Sequence, residues 1–429
     1  MTDSLKKIHE ESIESSKKNE QLRMRRDDIH NKNCLPPNCG EFNFRSVIFT
    51  IPFNLEEFDK LIEGLNELYM DYSEELDYKD IIKNSEITLS HGEIQYLPYI
   101  LNTNSDIFTS ESIEKNLGND IKFLRIILHH FLPSMVMVQV HVSLDSNFSE
   151  KFNQLFLKHH ESEIIYHEFD EDKFQKSHRM KISSKIPANR VKKREINQNI
   201  TFVKSEIIKF LADYFNTNLL KLALKSPLII PNVEIYTLNF PEETKELNNW
   251  FSENHGFFKC IGANYQKFRD GNYLLLEDDD DSYSNYKIFS KTDSSKTQLH
   301  LEDLGFIFLW DMFAVERWLQ IQEKIVGKFN FLVSGEFDDD SQLENSIRVR
   351  EDIYQKIFYF ERFKSEFELP NIFKHVQMSF MSIDMDDYDF NSDLSKSLEN
   401  RIKDIDNLIK TYQKHSNLIL NLKNIKYSK

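Results

Sequence analysis

Between Lys173 and Arg194 the chain carries nine basic side chains, and no acidic residue follows Asp172 until Glu195. Guanidinium and ammonium groups at this density suit phosphate, because each contact is a charge-assisted hydrogen bond and arginine can offer two at once. Arg179, Lys181, Arg190, Lys192, Lys193 and Arg194 are the candidate ligand-binding residues. The other outcome for such a run is a solvated strand edge, where lysines block pairing with another sheet.

Other side chains with chemical potential are less well arranged. Histidines cluster as His129-His130 and His159-His160, with His167 and His178 further on. Adjacent residues of a strand or helix point in different directions, so these pairs are expected to be structural or surface groups rather than metal ligands. No HExxH is present, and Cys34, Cys39 and Cys260 have no zinc-finger spacing. Cys34 and Cys39 are read as free thiols, and so sparse a set fits a reducing compartment. Acidic runs at 277–281, 338–340 and 384–389 could touch a divalent cation, but the first fails the calcium-loop pattern, with Tyr283 and Phe289 where glycine and glutamate are needed. No metal site and no catalytic constellation can be specified, and the chain is not expected to be an enzyme.

Composition narrows the classes further. A net charge of −16 argues against general nucleic-acid binding, so a polyanion needs a local basic patch. Ten glycines in 429 residues fall well below the usual share of about 7%. They form no GxGxxG, GxxxxGK[ST] or GxSxG, which removes the backbone cradles for dinucleotides and nucleoside triphosphates and the hydrolase elbow. With 35 Phe and 17 Tyr the bulk of the chain must fold. The apolar stretches Phe131 to Val142 and Leu304 to Val315 are too short to cross a bilayer.

The elements that must hold these groups are expected in three blocks. Residues 1–41 read as a charged tail or helix, ended by the Pro-Pro break after Cys34. Residues 42–300 read as an α/β sensor domain, a mixed sheet flanked by helices. Strands are expected at Phe44–Ile51, Glu86–Ser90, Met135–Leu144 and around Ile229–Leu238, and short charged strands between Glu163 and Lys185. Helices are expected at Pro52–Leu68, Phe148–His159 and Asn199–Phe215, the last with Phe202, Ile207, Phe210, Leu211 and Phe215 inward. Residues 262–300 look most loop-like. Residues 301–429 turn helical throughout, as a long-helix bundle or stalk. In its final helix Leu398, Ile402, Ile405, Ile409, Tyr412, Ser416 and Ile419 fall on one seven-residue seam, the stripe of a coiled coil.

That seam, with Ile409-Lys-Thr-Tyr-Gln-Lys-His-Ser-Asn-Leu-Ile-Leu-Asn-Leu-Lys-Asn-Ile425 and the apolar helix Phe306 to Ile325, resembles the CorA-type divalent-cation channel family. The resemblance implies a cytosolic regulatory domain at the inner face of the cell membrane, a homo-oligomer (a pentamer in that family), Mg2+ as the associated ion, and membrane contact only through segments this chain lacks. The family's two spans and its Gly-Met-Asn signature are absent, so conduction is not implied for these residues. Relatives beside type III CRISPR systems imply a nucleotide second messenger in antiviral defence, a ligand the basic run would suit. The alternative is a soluble helical interaction protein without channel function.

Overall fold

The computed structural model describes residues 2–37, 42–54, 57–70, 94–103, 112–167, 182–226, 229–270, 273–278, 285–291, 304–333, 354–355, 357–367, 381–382 and 390–427. Among them the α/β class holds: a mixed sheet of eleven strands, with helices packed on both faces. Its centre is β1 (Asn43–Asn54), antiparallel to β6 (Met135–Leu144) on one side and to β9 (Asn232–Thr237) on the other. Beyond β6 come β5 (Ile121–Leu132), β3 (Tyr99–Asn102) and β4 (Ser112–Lys115), with β2 (Ile94–Tyr96) also on β5. Beyond β9 come β12 (Tyr286–Ser290), β11 (Tyr273–Asp278), β10 (Ala263–Asp270) and the short β13 (Met381–Ser382). Among the described strands only β3 with β4 and β9 with β12 run parallel.

The alternation of the central strands supplies two cores. Phe49, Ile51, Phe53, Val136, Val138, Val140, Tyr236 and Phe289 face one side, where α2 (Phe58–Leu68), α3 (Ser146–Leu157), α4 (Ala188–Tyr214), α5 (Asn218–Ala223), α6 (Thr244–Glu253) and α7 (His255–Cys260) cover them. Tyr236 is the hub of that layer, its ring stacked on Phe44 at 4.7 Å and Phe289 at 5.2 Å. Ile48, Met135, Met137, Val233, Ile235 and Ile288 face the other side, under α8 (Leu304–Val333), α9 (Phe390–Tyr427) and the helical residues 357–367. Strands buried on both faces are apolar almost throughout, as β6 is.

Two expectations need correction. The helical half beyond residue 300 is not a stalk separate from the sheet: it forms the sheet's second covering layer, sharing one core with β1, β6, β9 and β12. The described residues of 262–300 are mostly strand, since β10, β11 and β12 lie there. The seam of α9 is likewise used inside the chain. Leu398, Ile402, Ile405, Ile409 and Tyr412 are buried in one cluster with Trp310, Phe313, Val315 and Leu319 of α8. The first block is helical: α1 (Thr2–Asn33) docks through its last turns. There Asn31 both donates to the His160 carbonyl (2.7 Å) and accepts from the His160 N–H (2.9 Å), while Asp27 accepts from the Ser162 N–H and hydroxyl. The expected strand at Glu86–Ser90 lies outside the described residues.

Close packing makes glycine obligatory where α2 crosses the end of α4. A Cβ on Gly64 would stand 2.5 Å from the Tyr214 carbonyl oxygen, which cannot give way without moving backbone. Gly327, inside α8, has nothing within 4 Å of its Cβ position. Gly64→Ala should therefore destabilise by roughly 1–3 kcal/mol through overpacking, whereas Gly327→Ala should stabilise by about 0.5–1 kcal/mol through helix propensity. Urea midpoints of the two variants check both signs; a stabilised Gly64→Ala would refute the close approach.

Candidate functional site: a basic groove on one helix

β8 (Ile182–Ile186), paired with β7 (Glu163–His167), delivers the chain to α4 through Pro187. Pro187 suits a helix start, since its fixed φ and missing N–H cost nothing there. The helix therefore begins eleven residues before the expected Asn199, taking in the end of the basic run. Ala188, Val191, Ile196, Ile200, Val203, Ile207 and Leu211 form its buried stripe. Phe202, expected inward, is 58% exposed on the opposite face.

That outer face carries an open groove of about 740 Å3 lined by Arg190, Lys193, Arg194, Asn197, Gln198, Thr201, Phe202 and Ser205. Arg190, Arg194, Asn197, Thr201 and Ser205 follow one another at steps of three and four, so a single helical stripe presents them all. Among the six sequence candidates, Arg190, Lys193 and Arg194 come together here. Lys192 does not: it is 1% exposed, and its Nζ donates to the Phe156 carbonyl at 2.6 Å. The reason is the helical period, which turns position 192 to the core side. Arg179 and Lys181 lie outside the described residues. Asn197, Gln198, Thr201 and Phe202 were missed, although extending the helical spacing forward from Arg190 and Arg194 would have found them.

The electrostatics of the groove are one-sided. The first turn of α4 has no acidic residue, and its N-cap Pro187 offers no side-chain acceptor, although Asn189 Oδ1 accepts from the Arg190 N–H at 3.0 Å. Cations near the positive end of a helix dipole run against the usual preference. Arg194 is partly neutralised, its guanidinium meeting both Glu163 oxygens at 2.7 Å and tying α4 to β7. Arg190 is exposed and makes no ion pair among the described residues. Behind the helix, Glu195 accepts from Lys158 Nζ and contacts His160 Nε2, each at 2.6 Å. Burial pushes the Glu195 carboxyl up, but these two partners more than offset it and hold the group below the usual range. The arrangement can hold an anion with forked donors, amides alongside and an aromatic face for stacking.

A second polar cluster is sealed between the sheet and α8. Asp311 contacts His129 Nδ1 and accepts from Gln139 Nε2 at 2.8 Å, and Gln139 is in turn 3.3 Å from His141 Nε2. All four residues are buried. So His129 on Asp311 and His160 on Glu195 are buried structural groups, while His159 meets Asp28 at the surface. Among the described residues no group of three or more His, Cys, Asp or Glu is placed to hold a metal.

Acid should loosen the sheet at two histidines, His141 in this cluster and His130 on the opposite face against Phe58 of α2. Burial lowers His141 to about 3, helped by nearby Arg125, and lowers His130 to about 4, helped by His129. An unfolded chain takes up both protons near pH 6.5 and the folded one does not, so stability falls as pH drops below that value. Burial raises Asp311, despite His129 and Gln139, which works in the opposite sense. Two histidines outweigh one carboxyl, so the net expectation is a loss of stability from pH 6 to pH 5. Urea unfolding at the two pH values measures it, and His141→Gln should flatten the dependence; a stability that is constant over this range would contradict it.

No protein-family model matches the chain, and no characterised protein matches it in sequence.

Proposed function

We propose that this protein is a regulatory binding module that takes a phosphate-bearing nucleotide ligand in the groove on α4. One observation carries the reading: Arg190 and Lys193 stand with Arg194 in the N-terminal part of a 27-residue helix, beside the exposed Phe202 ring. Phosphate answers the cations and a base answers the ring. The same helix reaches the sheet through Lys204, which pairs with Glu234 of β9, so a ligand that shifts α4 also strains the central strands.

Attachment to a CorA-like oligomeric channel, with Mg2+ as its ion and antiviral defence as its setting, rests on the resemblance of residues 398–429. Among the described residues no helix is long and apolar enough to cross a membrane. The second reading, an interaction protein with no channel function, is favoured by the burial of the α9 seam from Leu398 to Tyr412 against α8 of the same chain.

The test is a titration of the full chain with a cyclic oligoadenylate, ATP and inorganic phosphate, read by thermal shift and calorimetry. The wild type should bind one of the nucleotides, more weakly as salt rises. Arg190→Glu with Lys193→Glu should lower that affinity at least about tenfold while leaving Arg194 and its Glu163 contact in place. Equal shifts in wild type and variant, or no nucleotide binding at all, would end the proposal.

A further inference from the structure

Cys34, the residue after α1, and Cys260, the last residue of α7, are distant in sequence and adjacent in the fold. Both lie in one core cluster at 1% and 3% exposure, with the Cys260 thiol donating to the Asn189 carbonyl at 3.9 Å and its sulfur near enough to Cys34 for the two thiols to influence each other. The approach of the two helices that brings them together is close enough to require Gly256, whose Cβ would stand 2.3 Å from the Asn33 carbonyl oxygen. Lys192, the basic residue that turned inward, lies beside both sulfurs. A buried ammonium is costly unless something shares its charge. Here the Phe156 carbonyl, the two thiols and the Glu195 carboxylate all act on it.

From this geometry we propose that Cys34 and Cys260 are an oxidation site, a dithiol that a small peroxide converts to an internal disulfide fixing α1 to the body of the protein. The Cys34 thiol is held below its ordinary value by the neighbouring Cys260 thiol and by the Lys192 charge, against the effect of burial, while the Cys260 thiol is pushed up. Cys34 is therefore the attacking sulfur and Cys260 the resolving one. As its proton leaves, the Cys34 sulfur bonds to one peroxide oxygen and the O–O bond breaks; the departing hydroxide takes up that proton as water. The Cys260 sulfur then attacks the sulfenic sulfur, the S–O bond breaks, and the hydroxyl leaves with the Cys260 proton as a second water. Two thiols are oxidised and one peroxide is reduced. A thiol reductant reverses the change by exchange.

What the bond would alter is the hold on α1. In the reduced protein that helix docks through Asn31, Asp27 and the packing at Gly256, all within its last two turns or just beyond them. A disulfide would make the same junction covalent and leave the remaining length of α1 unchanged.

The experiment treats the reduced full chain with hydrogen peroxide, quenches it by alkylation under denaturing conditions, and maps the peptides by mass spectrometry. The expected product is a Cys34–Cys260 peptide, reversed by dithiothreitol and still formed in Cys39→Ser. Hydrogen exchange should slow about tenfold over residues 27–33 after oxidation. A bond to Cys39, a bond between chains, overoxidation without a cross-link, or unchanged exchange would overturn the proposal. The mapping is done on the wild type, so it stands even if Cys34→Ser or Cys260→Ser fails to fold.

Discussion

Glu234→Ala should cost about 3–5 kcal/mol of stability, the largest loss expected from removing one side chain here. The Glu234 carboxylate contacts Lys204 Nζ and accepts from Lys287 Nζ at 2.7 Å and the Tyr236 hydroxyl at 2.6 Å. Its two charged partners come from α4 and β12, so one carboxylate joins a helix to two neighbouring parallel strands. Burial alone would raise this carboxyl, but the two ammoniums overcome it and hold it at about 2. Without the carboxylate, Lys204 remains at 1% exposure with its charge uncompensated. The cost lies in the stranded charge, not in the pair. Glu234→Gln with Lys204→Met should therefore recover a large part of the loss. Urea unfolding that gives Glu234→Ala a loss under about 1 kcal/mol would show that the cluster is solvated.

The second large effect concerns the seam of α9. Ile405→Asp puts a carboxylate at a fully buried position of the core that α9 shares with α8, and the expected loss is about 3 kcal/mol or more. Because α8 of the same chain supplies the partner, the loss should be identical at protein concentrations about tenfold apart. If the seam instead joined copies of the chain, Ile405→Asp would release folded monomers with little change in their unfolding midpoint. Size-exclusion chromatography beside the unfolding curves separates the two outcomes, and folded monomers released from a larger wild-type assembly would refute the packing of α9 on α8.

Much of the fold was legible because strands and helices with strong apolar periodicity announce themselves. Met135–Leu144 and Ser146–Leu157 fall within two residues of the expected spans. Where the reading failed, a competing physical cause can be named. Pro52 was taken to start a helix, yet β1 continues to Asn54, because β9 accompanies β1 only to Phe49 and the proline's missing N–H breaks no ladder there. The basic stretch from Arg190 hid a helix start, since charge on its outer face masked Val191 and Ile196 within. The α9 stripe was correct as a pattern but silent about its partner: a narrow apolar seam is satisfied equally by another chain or by α8. The meeting of Cys34 with Cys260 was out of reach, because contacts between distant residues leave no local spacing to read.

The sheet with apolar side chains on both faces has a consequence for biosynthesis. Strands β1 to β12 leave the ribosome before α8 and α9 do, so Met135 and Met137 must wait bare until more than a hundred further residues have been made. During that interval the nascent chain offers a broad greasy surface to whatever is nearby. Its safe passage depends on how quickly translation of the last third proceeds, or on a chaperone that holds the half-dressed sheet meanwhile.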